Sequence, residues 1–123
     1  MSSDTQTTIQ ALKDLVANFA REREWDQFHS PKNVSMALAV EVAELMELFQ
    51  WKTEEESLAA SSDPVLHRRA AEELADIAYF VFNLCNRLDI DLASAFKSKL
   101  EENAAKYPAD RVRGKAAKYT AYQ

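Results

Sequence analysis

Glycine is almost missing from this sequence: Gly114 stands alone, and the prolines are only Pro31, Pro64 and Pro108. A many-stranded β fold needs Gly, Asn and Pro at its reversals, so this scarcity disfavours one and predicts an all-α chain. Cysteine is reduced to Cys85. With no second thiol for an internal disulfide, a reducing cytosol is the simplest setting. Its apolar neighbours mark Cys85 as core filling rather than a nucleophile. No apolar run approaches the roughly 20 residues that span a bilayer. The opening Met-Ser-Ser-Asp-Thr-Gln also lacks the basic region and apolar stretch of a secretory signal. A soluble, cytoplasmic protein without a membrane partner is the expectation. Positive charge is in deficit as well. At a formal net charge of −5 the chain offers no general surface to a nucleic-acid polymer. A small anionic ligand stays admissible if metal ions bridge the repulsion.

What is present suits a globular domain: 47% apolar and 28% charged residues in a chain of 123. That length predicts one domain over 1–123, with 1–7 and 109–123 as terminal segments. Ile9, Leu12, Val16 and Phe19 recur at three- and four-residue steps and predict a first helix from Thr8 to Arg23. Residues 24–33 have no period and read as an ordered loop, because Trp25 and Phe28 are costly to leave in water. Asn33 is the expected cap of a second helix, Val34 to Trp51. That helix is apolar nearly all round and must be surrounded, by its own domain or another subunit. Residues 52–63 read as a polar connection. Asp63 before Pro64 is a strong start signal for a third helix reaching Leu88, with Leu74, Ile77, Phe80, Val81, Leu84 and Leu88 inward. Asp91 caps a fourth helix that halts before Pro108, and the tail beyond is basic and aromatic.

Two carboxylate couples carry the chemistry. Glu41 and Glu44 lie three apart on the second helix, and Glu73 and Asp76 repeat the spacing on the third, so each couple projects from one side. Such glutamates are often a solvated face. Here both couples sit in apolar surroundings where ionised groups lose hydration, and neither 40–50 nor 70–85 contains a lysine or arginine. A divalent metal is the natural compensation. All-oxygen ligands without His or Cys select Mg²⁺, or Mn²⁺, over zinc. Di-iron bundles use Glu-x-x-His couples, and here the third position holds Glu44 and Asp76 instead. No glycine-rich phosphate loop is possible with one glycine. Ions held by these four groups can clamp a triphosphate for attack by water, with a glutamate taking the proton. Glu47 either completes the site or hydrogen-bonds a loop. Lys99 and Asn103, four apart on the fourth helix, are candidate phosphate contacts, although Lys99 reads equally well as a surface lysine. Arg113 and Lys115 are weaker candidates. Trp25, Phe28 and Trp51 can supply a flat apolar slot for a base. Trp51 falls two turns after Glu44, nearly in line with it on the helix.

Glu41-Val-Ala-Glu44 followed by Glu73-Leu-Ala-Asp76 resembles the E-x-x-E…E-x-x-D signature of the MazG-like nucleotide pyrophosphohydrolases. Trp25-Asp-Gln-Phe-His-Ser-Pro-Lys-Asn33, Glu47-Leu-Phe-Gln-Trp51, Lys106-Tyr-Pro108 and Lys118-Tyr-Thr120 are similar to that family's dCTP pyrophosphatase branch, from Leu12 to Tyr119. The resemblance implies a four-helix bundle-like fold assembling as a homotetramer with sites between subunits. It implies hydrolysis of pyrimidine deoxynucleoside triphosphates, dCTP or a modified form first, to the monophosphate and pyrophosphate. By the family motif Glu41, Glu44, Glu73 and Asp76 bind Mg²⁺, Trp25 and Trp51 enclose the pyrimidine, and Lys99 and Asn103 face the nucleotide. Phe80 stands where animal relatives carry a tyrosine, and Val16 where they carry a histidine. These departures bear on base and sugar preference, so dUTP or another non-standard nucleotide is the alternative substrate. A helical interaction protein whose carboxylates line an interface is the alternative outside enzymology.

Overall fold

The structure, a computed structural model, describes residues 3–122; the extreme ends of the expected terminal segments, 1–2 and 123, lie outside them. Among the described residues there are helices and turns and no strand, as the scarcity of glycine predicts. The helices are α1 (Ile9–Glu22), α2 (Pro31–Glu47), α3 (Glu54–Leu58), α4 (Pro64–Leu88), α5 (Leu92–Lys106) and α6 (Ala109–Val112). Short 3₁₀ turns occupy Asp26–Phe28, Ala60–Ser62 and Tyr119–Tyr122. No helix is long and apolar enough to cross a membrane. The chain divides into two compact units, Met1–Asp89 and Ile90–Gln123.

Caps explain most boundaries. Thr8 accepts from the Ala11 amide at the head of α1, and Asp63 from the amides of Val65 and Leu66 at the head of α4. Asp91 does the same for Ser94 in α5. Asn33 is not the cap of α2. Ser30 holds that position, accepting from the Asn33 amide, with Pro31 at the first helical position where its missing N–H costs nothing. Asn33 instead donates its side-chain amide to the Phe28 carbonyl at 3.1 Å, bracing the preceding turn. The polar connection hides α3, whose Thr53 and Glu56 form a reciprocal capping box. After α1 and α4 the chain uses residues other than glycine in left-handed backbone: Asp89 (φ 53°) closes α4, and Glu24 (φ 54°) turns the chain after α1.

In the first unit α4 packs against α2 and, less extensively, α1. Both run antiparallel to it. Lys13 of α1 is met by Asn86, whereas Phe19 is met by Tyr79. Residues 24–30 then double back toward the end of α4, where Arg87 pairs with Asp26 and Asn83 with His29. This return lets α2 start beside the C-terminal part of α4 and pass its glutamates along the middle of that helix. The fully enclosed core is small: Val16, Ala20, Val34, Leu66 and Cys85. Leu74 and Leu88 are half exposed rather than inward, as are Met36, Val40, Val42 and Met46 of α2. One copy therefore leaves apolar surface of α2 in water, although this helix is too apolar to favour it.

In the second unit Tyr107 meets Tyr119 and Tyr122 edge-on, with centroids 6.3 and 6.2 Å away. Lys106 lies over the Tyr119 ring, and Arg111 donates to the Tyr122 carbonyl. The basic, aromatic tail thus folds on itself.

Candidate active site

The antiparallel pairing of α2 and α4 brings the two carboxylate couples face to face. Glu41, Glu73 and Asp76 each offer an oxygen within 4.8 Å of the others. Glu44, one turn beyond Glu41, reaches the Glu41 carboxyl and lines a cavity of about 400 Å³ together with Glu73, Glu47 and Gln50. Glu41 and Glu73 are half-buried, while Glu44 and Asp76 open to solvent. Two unit charges at this separation repel by roughly 3 kcal/mol at an effective dielectric near 20. Burial, followed by contact with Glu44 and Glu73 and the charges of Glu44 and Asp76, pushes the Glu41 carboxyl up to about 7. Oε2 of Glu41 and Oε2 of Glu73 are buried and receive no hydrogen bond. Acceptor oxygens that converge with no donor among them fit a hard divalent cation, which satisfies both the lone pairs and the charge.

One cation near this cluster escapes a sequence search confined to 70–85. Arg69 is one turn before Glu73 on α4 and lines the same cavity as Glu44, Glu47 and Glu73. The i, i+4 spacing to Glu73 is the signal that finds it.

Aromatic groups lie toward the other end of α4. The Trp25 ring is edge-on to Phe19 at 5.7 Å and to His29 at 6.3 Å. Phe80 is half-buried one turn after Asp76, its ring 5.2 Å from that of Tyr79. Tyr79 turns to Phe19 of α1 at 5.9 Å, and burial raises its phenol above the ordinary range. His29 and Asn83, neither a sequence candidate for the site, meet at 3.1 Å between Nδ1 and the side-chain amide. Asn83 is 3% exposed, so this is a core contact fixing the return segment. Val16 is buried on α1.

Trp51 departs from its expected place. α2 ends at Glu47, because Leu48 and Phe49 tighten into bonds to the carbonyls three residues back, so Trp51 is not on the helical line of Glu44. It is 88% exposed and makes no ring contact among the described residues. Trp25 and Trp51 thus form no joint slot within one copy. Phe28 is exposed as well. Lys99 and Asn103 belong to the second unit. There the Lys99 ammonium pairs with Glu102 at 3.1 Å, and Asn103 is half-buried.

Comparison with known proteins agrees with this geometry. The chain is 41% identical over 119 residues to dCTP pyrophosphatase 1 of Bos taurus, an alignment covering 97% of this chain and 70% of that protein. For the Homo sapiens protein of the same name the identity is 40% over 119 residues, with the same coverage. A pyrophosphatase of known structure from Archaeoglobus fulgidus superposes with a TM-score of 0.73 at 33% identity, over 88% of this chain and 99% of that one. The MazG-like family matches residues 36–121, a span holding the three converging carboxylates and Glu44. With its acidic cluster inside that match and relatives along nearly its whole length, the chain belongs to the MazG-like family.

Proposed function

We propose that this protein is a nucleoside triphosphate pyrophosphatase that hydrolyses dCTP, or a modified dCTP, to the monophosphate and pyrophosphate in a Mg²⁺-dependent reaction. The observation that carries the reading is the convergence of Glu41, Glu73 and Asp76, with buried oxygens of Glu41 and Glu73 that receive no hydrogen bond, in a chain about two-fifths identical to dCTP pyrophosphatase 1. Glu41, Glu44, Glu73 and Asp76 would hold Mg²⁺, or Mn²⁺. A divalent ion bound there supplies Lewis acidity toward phosphoryl oxygens and acidifies water. Glu47, which lines the cavity outside this set, would accept a proton from the attacking water on a carboxylate oxygen. Phe80 and Trp25 contribute apolar surface for the nucleoside, and Lys99 and Asn103 remain the proposed contacts from α5.

The functional assembly is a homotetramer with sites between subunits. Exposed Met36, Val40, Val42 and Met46 on α2 support this, as does the exposure of Trp51, whose ring would meet a nucleotide held by another copy. The family match runs through the boundary at Asp89, which supports treating 1–123 as one functional domain, and the lone Cys85 suits a reducing cytoplasm. Burial of Val16 and an apolar Phe80, where animal relatives carry polar groups, favour a relaxed base or sugar preference. Other non-standard pyrimidine nucleotides such as dUTP are the second reading.

The test is a panel of ribo- and deoxynucleoside triphosphates with Mg²⁺, scored by pyrophosphate release. Pyrimidine deoxynucleotides should lead. No release from any triphosphate, with the protein folded and metal present, would sink the reading. Light scattering behind a sizing column should give four copies.

A further inference from the structure

The carboxylate cluster and the cavity next to it share Glu73, and among the described residues the only cation lining that cavity is Arg69. Among the described residues its guanidinium makes no ion pair and no hydrogen bond. That is unexpected beside Glu44, Glu47 and Glu73, since an i, i+4 arginine and glutamate readily pair; the adjacent Arg68 does so with Glu72. A guanidinium has five donors in a fixed fork that matches phosphate oxygens, and here none is engaged.

Position along α4 gives this group a direction. Arg69, Glu73, Asp76 and Phe80 follow at steps of four, three and four, so they form one stripe about 16 Å long. Read from the N-terminal end, the stripe presents a cation, then the carboxylates, then an aromatic ring. A nucleoside triphosphate has the complementary order: an anionic tail, the reacting phosphates, then the sugar and flat base.

We infer that Arg69 is a phosphate-binding residue that takes the pyrophosphate end of the substrate, orienting the nucleotide with its tail toward the N-terminal end of α4. This deepens the proposed reaction and rests on it. The guanidinium forks onto oxygens of the two terminal phosphates, away from the nucleoside. The same contact holds the pyrophosphate product and leaves the monophosphate untouched. Because it persists from bound substrate to product, it is uniform binding, which sets KM rather than kcat.

The experiment uses the full chain with Mg²⁺ and compares wild type with Arg69→Ala and Arg69→Lys. Calorimetric titration with inorganic pyrophosphate and, separately, with dCMP is the direct readout. Arg69→Ala should weaken pyrophosphate binding about 10- to 100-fold, the loss of a charge-assisted contact, and leave dCMP and Mg²⁺ affinities as in wild type. Arg69→Lys should recover part of the loss, and KM for dCTP should rise in parallel with kcat nearly unchanged. Unaltered pyrophosphate binding, equal weakening of both products, or a change confined to Mg²⁺ affinity would each overturn the assignment. A wild-type protein that hydrolyses no triphosphate fails the functional reading and this inference with it. Active wild type with an unaffected Arg69→Ala variant fails the inference alone.

Discussion

Glu41 and Glu73, on antiparallel helices, each bury a carboxylate oxygen that no donor reaches, in a cluster whose oxygens lie within 4.8 Å. The relationship is unfavourable without a cation and is therefore the place where stability and activity separate. Glu41→Gln removes one charge and supplies an amide donor. The metal-free variant should melt a few degrees higher than wild type, about what 1 kcal/mol gives in a small domain. Turnover should fall by about 100-fold or more, as should that of Asp76→Asn, with the helical circular dichroism unchanged. Wild-type rates in either variant would remove them from the ligand set.

The raised Glu41 carboxyl makes metal-free stability depend on pH in a defined sense. Its folded value is about 7 against an ordinary 4.5. Between these values the native state keeps a proton that the unfolded chain has released, so stability declines as pH rises and the loss is complete above 7. In chelator, melting temperature should drop from pH 5 to pH 8. Added Mg²⁺ should oppose the trend, because the ion selects the deprotonated form, and binding at pH 6 should release a proton. Calorimetry in two buffers of different ionisation enthalpy counts that proton. A melting temperature that climbs with pH in chelator contradicts the assignment.

Trp51 is 88% exposed within one copy, so its proposed contact with the nucleotide can be tested apart from the fold. Trp51→Ala should raise KM for the nucleotide more than it lowers kcat, since stacking acts on ground and transition states alike. The change should also leave the thermal midpoint of isolated copies unaltered. A selective fall in kcat would assign the ring to the chemical step instead.

Much of this was legible in the sequence because local rules decide it. Thr8, Asp63-Pro64 and Asp91 start helices where their side chains and ring dictate, and the couples at i, i+3 fix each pair of carboxylates on one side of a helix. The E-x-x-E…E-x-x-D pattern identified the cluster. What periodicity could not supply is the meeting of residues far apart in the chain. The contact of His29 with Asn83 spans 54 positions, and Arg69 enters the site only through the pairing of α2 with α4. Ser30 displaced Asn33 as a cap because Pro31 is better placed at the first helical position. Trp51 was misplaced because the end of α2 carries no sequence stop signal; its last turn simply tightens.

Ending α1 and α4 without glycine leaves an untapped reserve in this backbone. Glu24 and Asp89 adopt a left-handed geometry that an L side chain resists by roughly 1–2 kcal/mol, with aspartate tolerating it better than glutamate. Replacing Glu24 by glycine should therefore shift the urea midpoint upward, by more than the same change at Asp89. An engineer seeking a hardier version of the protein could begin at these two corners, where strain is relieved without touching the carboxylate cluster.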